Sequence, residues 1–143
     1  MKTLPTIPSE LIKVALRDLI SAEQSETCVV NMDIWHSPLR DGRLCHLCLA
    51  GSVMRGLGVK DTVESTPSQL DADVQQQLYA LNELRTGRVS NYMNHMHYSM
   101  EYCKLDSDDI RHMHKTYVEY AQSPNDFKEW LANVANILEK KGF

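Results

Sequence analysis

Four cysteines and six histidines are the side chains of this sequence best suited to binding a metal ion or to redox chemistry. Cys45 and Cys48 form a C-x-x-C pair that follows a Trp-His pair and a Pro/Asp/Gly turn within residues 35–48. Thiolates at this spacing commonly supply two of the four ligands of a tetrahedral zinc site. His36 and Cys28 lie close enough in the sequence to complete the set. The pattern therefore makes a small zinc-binding module one hypothesis for this chain.

Two other interpretations of the C-x-x-C pair stay open. Cysteine packs well as a small apolar side chain, so the sequence favours a tight buried corner in a protein without a cofactor. Structural zinc sites usually bring a second C-x-x-C or a spaced histidine pair, and the sequence contains neither. A thioredoxin-like redox pair is disfavoured, because residues 36–44 separate the preceding strand from Cys45 and the downstream sequence predicts helices only.

The histidines repeat a His-Met-His triplet, at residues 95–97 and again at 112–114. Two residues that are two positions apart on a helix point about 200° apart, so one triplet cannot chelate one ion. On two antiparallel helices, His97 and His114 share sides with the apolar stripes and can face each other as a pH-sensitive pair or half of a metal site. The pattern favours the simpler interpretation, in which both are helix-flank histidines with ordinary hydrogen bonds.

Methionine is frequent around these triplets, and methionine-rich surfaces adapt to irregular partners. Such a stripe is more often ordinary core, and an interaction face for another protein on two neighbouring helices is the alternative. Its members are Met93, Met96, His97, Met100, His114 and Tyr117. A homodimer through this face is one form that such a contact can take.

Catalytic and nucleic-acid-binding signatures are largely missing from the sequence. It contains no nucleophile elbow, Walker A loop, dinucleotide glycine pattern or H-E-x-x-H motif, so we lean away from an enzyme. The net charge is −4, and basic residues are scattered rather than gathered in a stripe, which argues against binding to phosphate backbones. A nucleic-acid-binding accessory protein is the third hypothesis. It requires five arginines to share one face: Arg40, Arg43, Arg85, Arg88 and Arg111.

The 143 residues match the length of one domain, 1–143, and 43% hydrophobic with 24% charged residues is ordinary for a globular protein. Alternating β-branched residues over 27–35 predict a strand, and residues 37–42 read as a turn. Residues 43–45 are expected to pair back briefly as a hairpin arm, and 44–57 to form a helix. This strand-turn-helix element therefore spans 27–57.

Apolar residues at helical spacing predict the other helices. Their expected starting points are Ser9, the capping box at 66–69, Val89, Asp106 or Ser107, and Ser123. The helix from Val89 is expected to run to Cys103. The predicted fold is a mainly α, compact single domain of about six helices with one short β-hairpin. Its predicted core includes Leu47, Gly51, Met54, Leu78, Leu81, Trp130 and Val134.

The first twenty residues carry prolines and charges at positions that interrupt any apolar run, so they do not read as a signal peptide. No stretch of the sequence is long and apolar enough to span a bilayer. We therefore expect a cytoplasmic protein that makes no membrane contact and whose cysteines stay reduced.

The stretch from Trp35-His36 through the C-x-x-C pair to Leu49-Ala50-Gly51-Ser52-Val53-Met54 resembles small uncharacterised accessory proteins of tailed bacteriophages and prophages. The likeness covers residues 35–54. It implies a protein of the infected bacterial cytoplasm that binds a host or phage protein, and it brings no catalytic activity with it. A non-enzymatic accessory protein acting through protein–protein contact is therefore the leading hypothesis, ahead of the zinc module.

Overall fold

Six α-helices and three short β-strands make up the part of the chain that the structure describes. The structure is a computed structural model, and it describes residues 3–32, 36–37, 44–60, 70–98 and 105–143, with the backbone alone for 36 and 37. The helices are α1 (Pro8–Glu23), α2 (Leu49–Gly56), α3 (Ala72–Leu84), α4 (Val89–His95), α5 (Ser107–Tyr120) and α6 (Pro124–Lys140), and the strands are β1 (Cys28–Val30), β2 (His36–Ser37) and β3 (Cys45–Leu47). The predicted mainly α class is confirmed.

Helix α1 packs against α2, α6 and β1. Its apolar stripe is buried and consists of Leu11, Ile12, Ala15 and Leu19. The prediction that Ser9 caps this helix is wrong, because Pro8 occupies the first turn and Ile7 is the N-cap, without a side-chain cap bond. Ser9 is buried instead, and its backbone N–H donates to the carbonyl of Phe143 at 2.9 Å.

Helix α2 is shorter than the predicted 44–57 helix and begins at Leu49. The preceding residues form β3, because their backbone groups pair with strands on both sides rather than with a helical turn. For example, the N–H of Cys45 donates to the carbonyl of Thr27 at 2.8 Å. Every residue from Leu49 to Met54 is buried, so this short helix, in which Arg55 is the one charged residue, does lie inside the fold.

The three strands form one small sheet in the order β1-β3-β2. Strand β1 runs parallel to β3, with Cys28 opposite Cys45, and β2 runs antiparallel to β3, with His36 opposite Leu47. The predicted pairing of a long 27–35 strand with residues 43–45 is therefore wrong in detail, since β2 rather than β1 is the antiparallel neighbour. The predicted turn residues 38–42 lie outside the described residues.

Helices α3 and α4 pack side by side. The predicted capping box at 66–69 lies outside the described residues, but Leu70 and Asp71 are not helical, so α3 begins later than expected. Helix α4 ends at His95, well before the predicted Cys103. The helical apolar pattern continues past the true end of α4 because no glycine or proline interrupts it.

Helices α5 and α6 pack against each other and have the N-caps that the sequence predicts. Asp106 accepts a hydrogen bond from the N–H of Asp109 at 2.8 Å, and Ser123 accepts one from Asp126 at 3.2 Å. Every residue of the predicted core is buried: Leu47, Gly51, Met54, Leu78, Leu81, Trp130 and Val134. Among the described helices, none combines the length and the apolar character needed to cross a bilayer.

Candidate functional site

A pocket of about 320 Å³ opens where the N-terminal segment (residues 3–7), the first half of α3 and the end of α4 meet. Its surface is mostly apolar and includes the side chains of Leu4, Val74 and Met96. Pockets of this size with apolar walls and a few polar groups are typical of binding sites. The pocket therefore has the shape and lining to accept an apolar group.

The N-terminal segment is held as one wall of this pocket by hydrogen bonds to α3, and the start of α1 is held by a hydrogen bond to α4. The side-chain amide of Gln77 donates to the carbonyls of Pro5, at 2.8 Å, and Leu4, at 3.3 Å. The hydroxyl of Tyr92 donates to the carbonyl of Pro8 at 2.6 Å. Burial raises the pKa of Tyr92 well above its usual value, so this hydroxyl stays a donor at neutral pH.

His95 contributes an oriented imidazole to the α4 side of the pocket. The side-chain amide of Gln76 lies 2.9 Å from its Nδ1, and a carboxylate oxygen of Glu83 lies 3.7 Å from its Nε2. Nδ1 is thus within hydrogen-bond distance of Gln76, and Nε2 is directed towards the Glu83 carboxylate. The hydrogen bond with Gln76 orients the ring, and the Glu83 carboxylate is a more distant neighbour.

Two carboxylates lie at the rim, on the first turn of α3. Asp71 is the N-cap of α3, but its side chain makes no cap hydrogen bond. Both Asp71 and Asp73 are exposed, and neither has an ion-pair partner among the described residues. The rim consequently carries negative charge that a cationic group of a ligand can approach.

His97 completes the rim in an unusual backbone conformation. Its φ is +66°, and within the described residues it is the one non-glycine residue with a positive φ. The N–H of His97 donates to Asn94 and that of Tyr98 to Met93, which is the Schellman pattern of a helix end. The helices that share this pattern have glycine at the equivalent position: Gly58 after α2, Gly87 after α3 and Gly142 after α6.

The interaction face predicted from the sequence is not a continuous exposed surface. Met93 and Met96 are 0% and 6% exposed and belong to the core, and Met100 lies outside the described residues. The helical wheel that grouped them does not apply beyond His95, where α4 ends. Of this set, Met96 and His97 are the two that line the pocket.

His114 and Tyr117, the other members of that set, serve the packing of α5 against the end of α3. The hydroxyl of Tyr117 donates to the carbonyl of Arg85 at 2.8 Å, and burial raises the pKa of Tyr117. His114 stacks on the Tyr117 ring, and its Nδ1 lies 3.3 Å from the carbonyl of Gly87. His114 thus has ordinary packing partners, as the favoured interpretation of a helix-flank histidine expects, and the alternative pairing with His97 stays a prediction.

The C-x-x-C pair is divided between two elements. Cys45 lies in β3 opposite Cys28, whereas Cys48 is the N-cap of α2 and its Sγ accepts from the N–H of Gly51 at 3.4 Å. Burial raises the pKa of the Cys48 thiol. The expected helical placement of both cysteines is therefore wrong. The three cysteines among the described residues, Cys28, Cys45 and Cys48, are buried and are not joined in a disulfide.

The zinc hypothesis stays a prediction. No three His, Cys, Asp or Glu side chains within the described ranges are grouped as metal ligands. The backbone of His36 pairs with Leu47, two register positions beyond the Cys28–Cys45 pair, and its side chain is outside the description.

The nucleic-acid hypothesis also stays a prediction. Arg85 donates to the carbonyl of Met32 and to Asn82, and Arg88 and Arg111 lie 3.8 and 3.9 Å from carboxylates of neighbouring residues. Arg40 and Arg43 are among the residues that the structure does not describe.

Sequence reasoning missed most of the pocket. The residues of the N-terminal segment and of α3 that line it were not singled out: Thr3, Leu4, Thr6, Asp71, Asp73, Val74, Gln76 and Gln77. Aspartates at a helix start are visible in the sequence, but they signal a helix end and not a cavity. No protein-family model, no curated protein and no solved structure matches this chain.

Proposed function

We propose that this protein is a non-enzymatic binding protein that captures a segment of another protein in the pocket between the N-terminal segment, α3 and α4. The segment presents an apolar side chain to the pocket and a lysine or arginine to its rim. The resemblance at residues 35–54 supports a setting in the cytoplasm of a phage-infected bacterium, with a host or phage protein as the partner.

The backbone of His97 is the observation that carries this proposal. The left-handed conformation costs a non-glycine residue roughly 1–2 kcal/mol relative to its preferred conformations. Three other helix ends with the same hydrogen-bond pattern have glycine there, where that cost is absent. A costly residue at the edge of a pocket is a typical sign of a binding role. His97 is exposed, so its imidazole is free to meet a bound segment.

The lining of the pocket indicates what that segment looks like. Leu4, Val74 and Met96 offer an apolar surface, and a volume of about 320 Å³ suits one large apolar side chain with part of its neighbours. Asp71 and Asp73 at the rim favour a positively charged neighbour. Complementary charge at a rim chiefly adds specificity and speeds association.

A defined peptide pair tests the proposal. The probe is an acetylated, amidated peptide with a central leucine flanked by lysines, and its matched control has glutamates in place of the lysines. We expect the lysine peptide to shift the backbone NMR signals of Val74, Met96 and His97, and the glutamate peptide to leave them unchanged. Equal binding of both peptides, or shifts elsewhere in the protein, would refute the proposed site.

Two variants separate the apolar and the charged contributions. Val74→Trp fills the pocket and should abolish binding of the lysine peptide, whereas Val118→Trp, on an exposed site of α5, should not affect it. Asp71→Asn with Asp73→Asn should weaken binding only a few-fold, since exposed ion pairs contribute about 0.2–1 kcal/mol each. Undiminished binding to Val74→Trp is the result that would place the peptide outside the pocket.

A further inference from the structure

Two buried thiols lie side by side in the small sheet. Cys28 of β1 and Cys45 of β3 are register partners in a parallel pair, so both side chains leave the same face of the sheet. Paired strands lie about 4.8 Å apart. Disulfides bridge Cα atoms that are about 4.4–6.8 Å apart, so the backbone already has a spacing that a disulfide can bridge.

We infer that Cys28 and Cys45 form a reversible disulfide site, which is a different pair from the C-x-x-C pair of the sequence. Both side chains are buried, and they share a small apolar cluster with Ala22 and Leu47. The thiol of Cys48 belongs to the main core and is engaged by the first turn of α2. The fold therefore directs Cys45 towards Cys28 rather than towards its near neighbour in sequence.

Access to the pair comes from the short length of the sheet. Strands β1 and β3 have three residues each, and elements with so few backbone hydrogen bonds open locally without global unfolding. Cys28 is 5% exposed and Cys45 is not exposed at all, so the reaction proceeds through this opening. The hydroxyl of Thr27 lies 3.8 Å from the sulfur of Cys28 and can hydrogen-bond to it.

The oxidant is a low-molecular-weight disulfide such as glutathione disulfide. One cysteine, as a thiolate, attacks a glutathione sulfur and displaces the first glutathione thiolate, which leaves a mixed disulfide. The second cysteine thiolate attacks the protein sulfur of that mixed disulfide and displaces the second glutathione. The two cysteines lose two electrons and two protons, and the two glutathione thiols receive them. An excess of reduced glutathione reverses both steps.

The site joins two parts of the fold. Strand β1 follows α1 directly, and β3 leads into α2, so a bond between Cys28 and Cys45 ties the end of α1 to the start of α2. In a reducing compartment the thiols are the resting state, and disulfides that form there are typically transient or redox-sensing. Oxidation is expected to hold the sheet closed and to raise the melting temperature.

The test is disulfide mapping after oxidation of the folded protein by glutathione disulfide. A Cys103→Ser background leaves three cysteines, since Cys103 lies outside the described residues. Proteolysis without reductant and mass spectrometry should find Cys28 joined to Cys45, with a loss of two hydrogen atoms and a free Cys48. The same reaction in urea is the control, because an unfolded chain favours the near pair Cys45–Cys48 over the distant one.

Single cysteine variants test which two residues form the disulfide. In the same background, Cys48→Ser should retain the disulfide, whereas Cys28→Ser should lose it and keep free thiols. The mapping of the three-cysteine protein decides the matter even where a variant fails to fold. A Cys45–Cys48 bond in the folded protein, or three thiols that stay free under oxidation, would overturn the inference.

Discussion

The ends of α3 and α4 share one hydrogen-bond pattern but differ in the residue that completes it. After α3, the N–H of Gly87 donates to Leu84 and that of Arg88 to Glu83, at 3.0 and 3.1 Å. After α4, His97 stands at the position of Gly87, and the equivalent bonds are 3.0 and 2.9 Å long. The φ angles are also close, +78° at Gly87 and +66° at His97.

The two helix ends differ in what surrounds them. Packing explains the glycine after α3, and the binding role proposed above is our explanation for the histidine after α4. A Cβ atom on Gly87 would lie 2.4 Å from the ring of Tyr117, which packs directly onto that backbone. Packing therefore excludes any side chain after α3. His97 is exposed and lines a pocket, so its side chain has room. The comparison teaches that the same helix end forms with a glycine that packing requires and with an exposed histidine that packing does not require.

The largest loss of unfolding free energy should come from a change in the core that supports the end of α3. Trp130 is 4% exposed, donates its indole N–H to the carbonyl of Met113 at 2.9 Å, and packs at 5.1 Å against the ring of Tyr117. Trp130→Ala should lower the free energy of unfolding by about 3–5 kcal/mol, as expected for a buried aromatic side chain. Urea denaturation followed by circular dichroism measures the loss.

His95→Ala, at the last residue of α4, is the matched change on the other side of the comparison. It removes one hydrogen bond from Gln76 and a 3.7 Å contact with Glu83, and should cost about 0.5–1.5 kcal/mol. A cost equal to that of Trp130→Ala would show that the α4 end, too, is held chiefly by the core.

An intermediate loss of unfolding free energy is expected for a substitution of Gly87. Gly87→Ala forces a Cβ into the ring of Tyr117 and also places an alanine at positive φ, so we expect a loss of about 2–4 kcal/mol in unfolding free energy. Gly58→Ala is the control, because φ is +104° there and nothing lies within 4 Å of the new Cβ. Its smaller loss, about 1 kcal/mol, isolates the backbone contribution.

Equal losses for the two glycine variants in urea denaturation would contradict the role of Tyr117. In that case the conformation alone would determine the residue after α3, and the contrast with His97 would disappear.

Capping residues in the sequence correctly predicted where α5 and α6 begin, because a helix start depends on residues that are close together in the chain. The side chains of Asp106 and Ser123 cap α5 and α6 as expected, because an N-cap bond joins residues three apart in the chain. The end of α4 was missed, since a Schellman end is usually marked by glycine and His97 stands there instead. The rule that glycine marks a helix end therefore failed at His97, the position that we connect with binding.

Contacts between distant segments account for the other errors. Residues 45–47 form a strand because β1 and β2 flank them, although their apolar pattern fits a helix. The pocket likewise depends on Gln77 holding the backbone of Leu4 and Pro5, more than seventy positions earlier in the chain. Neither pairing leaves a periodic signal in the sequence, so only the folded chain reveals the pocket and the Cys28–Cys45 pair.

The smallest effect should be a gain in stability, at His97. His97→Gly removes the cost of a left-handed conformation and keeps the backbone hydrogen bonds, while glycine adds some entropy to the unfolded chain. We expect the unfolding free energy to rise by about 0.5–1 kcal/mol and binding of the lysine peptide to weaken. His114→Gly, inside α5, should instead lower stability by more than about 1 kcal/mol, because glycine disfavours a helix interior and the contacts of the imidazole with Tyr117 and Gly87 are lost. If His97→Gly gains stability and its affinity for the lysine peptide equals that of the parent protein, the histidine has no role in binding and only lowers stability. Only a gain in stability coupled to a loss of binding identifies a residue retained for its ligand.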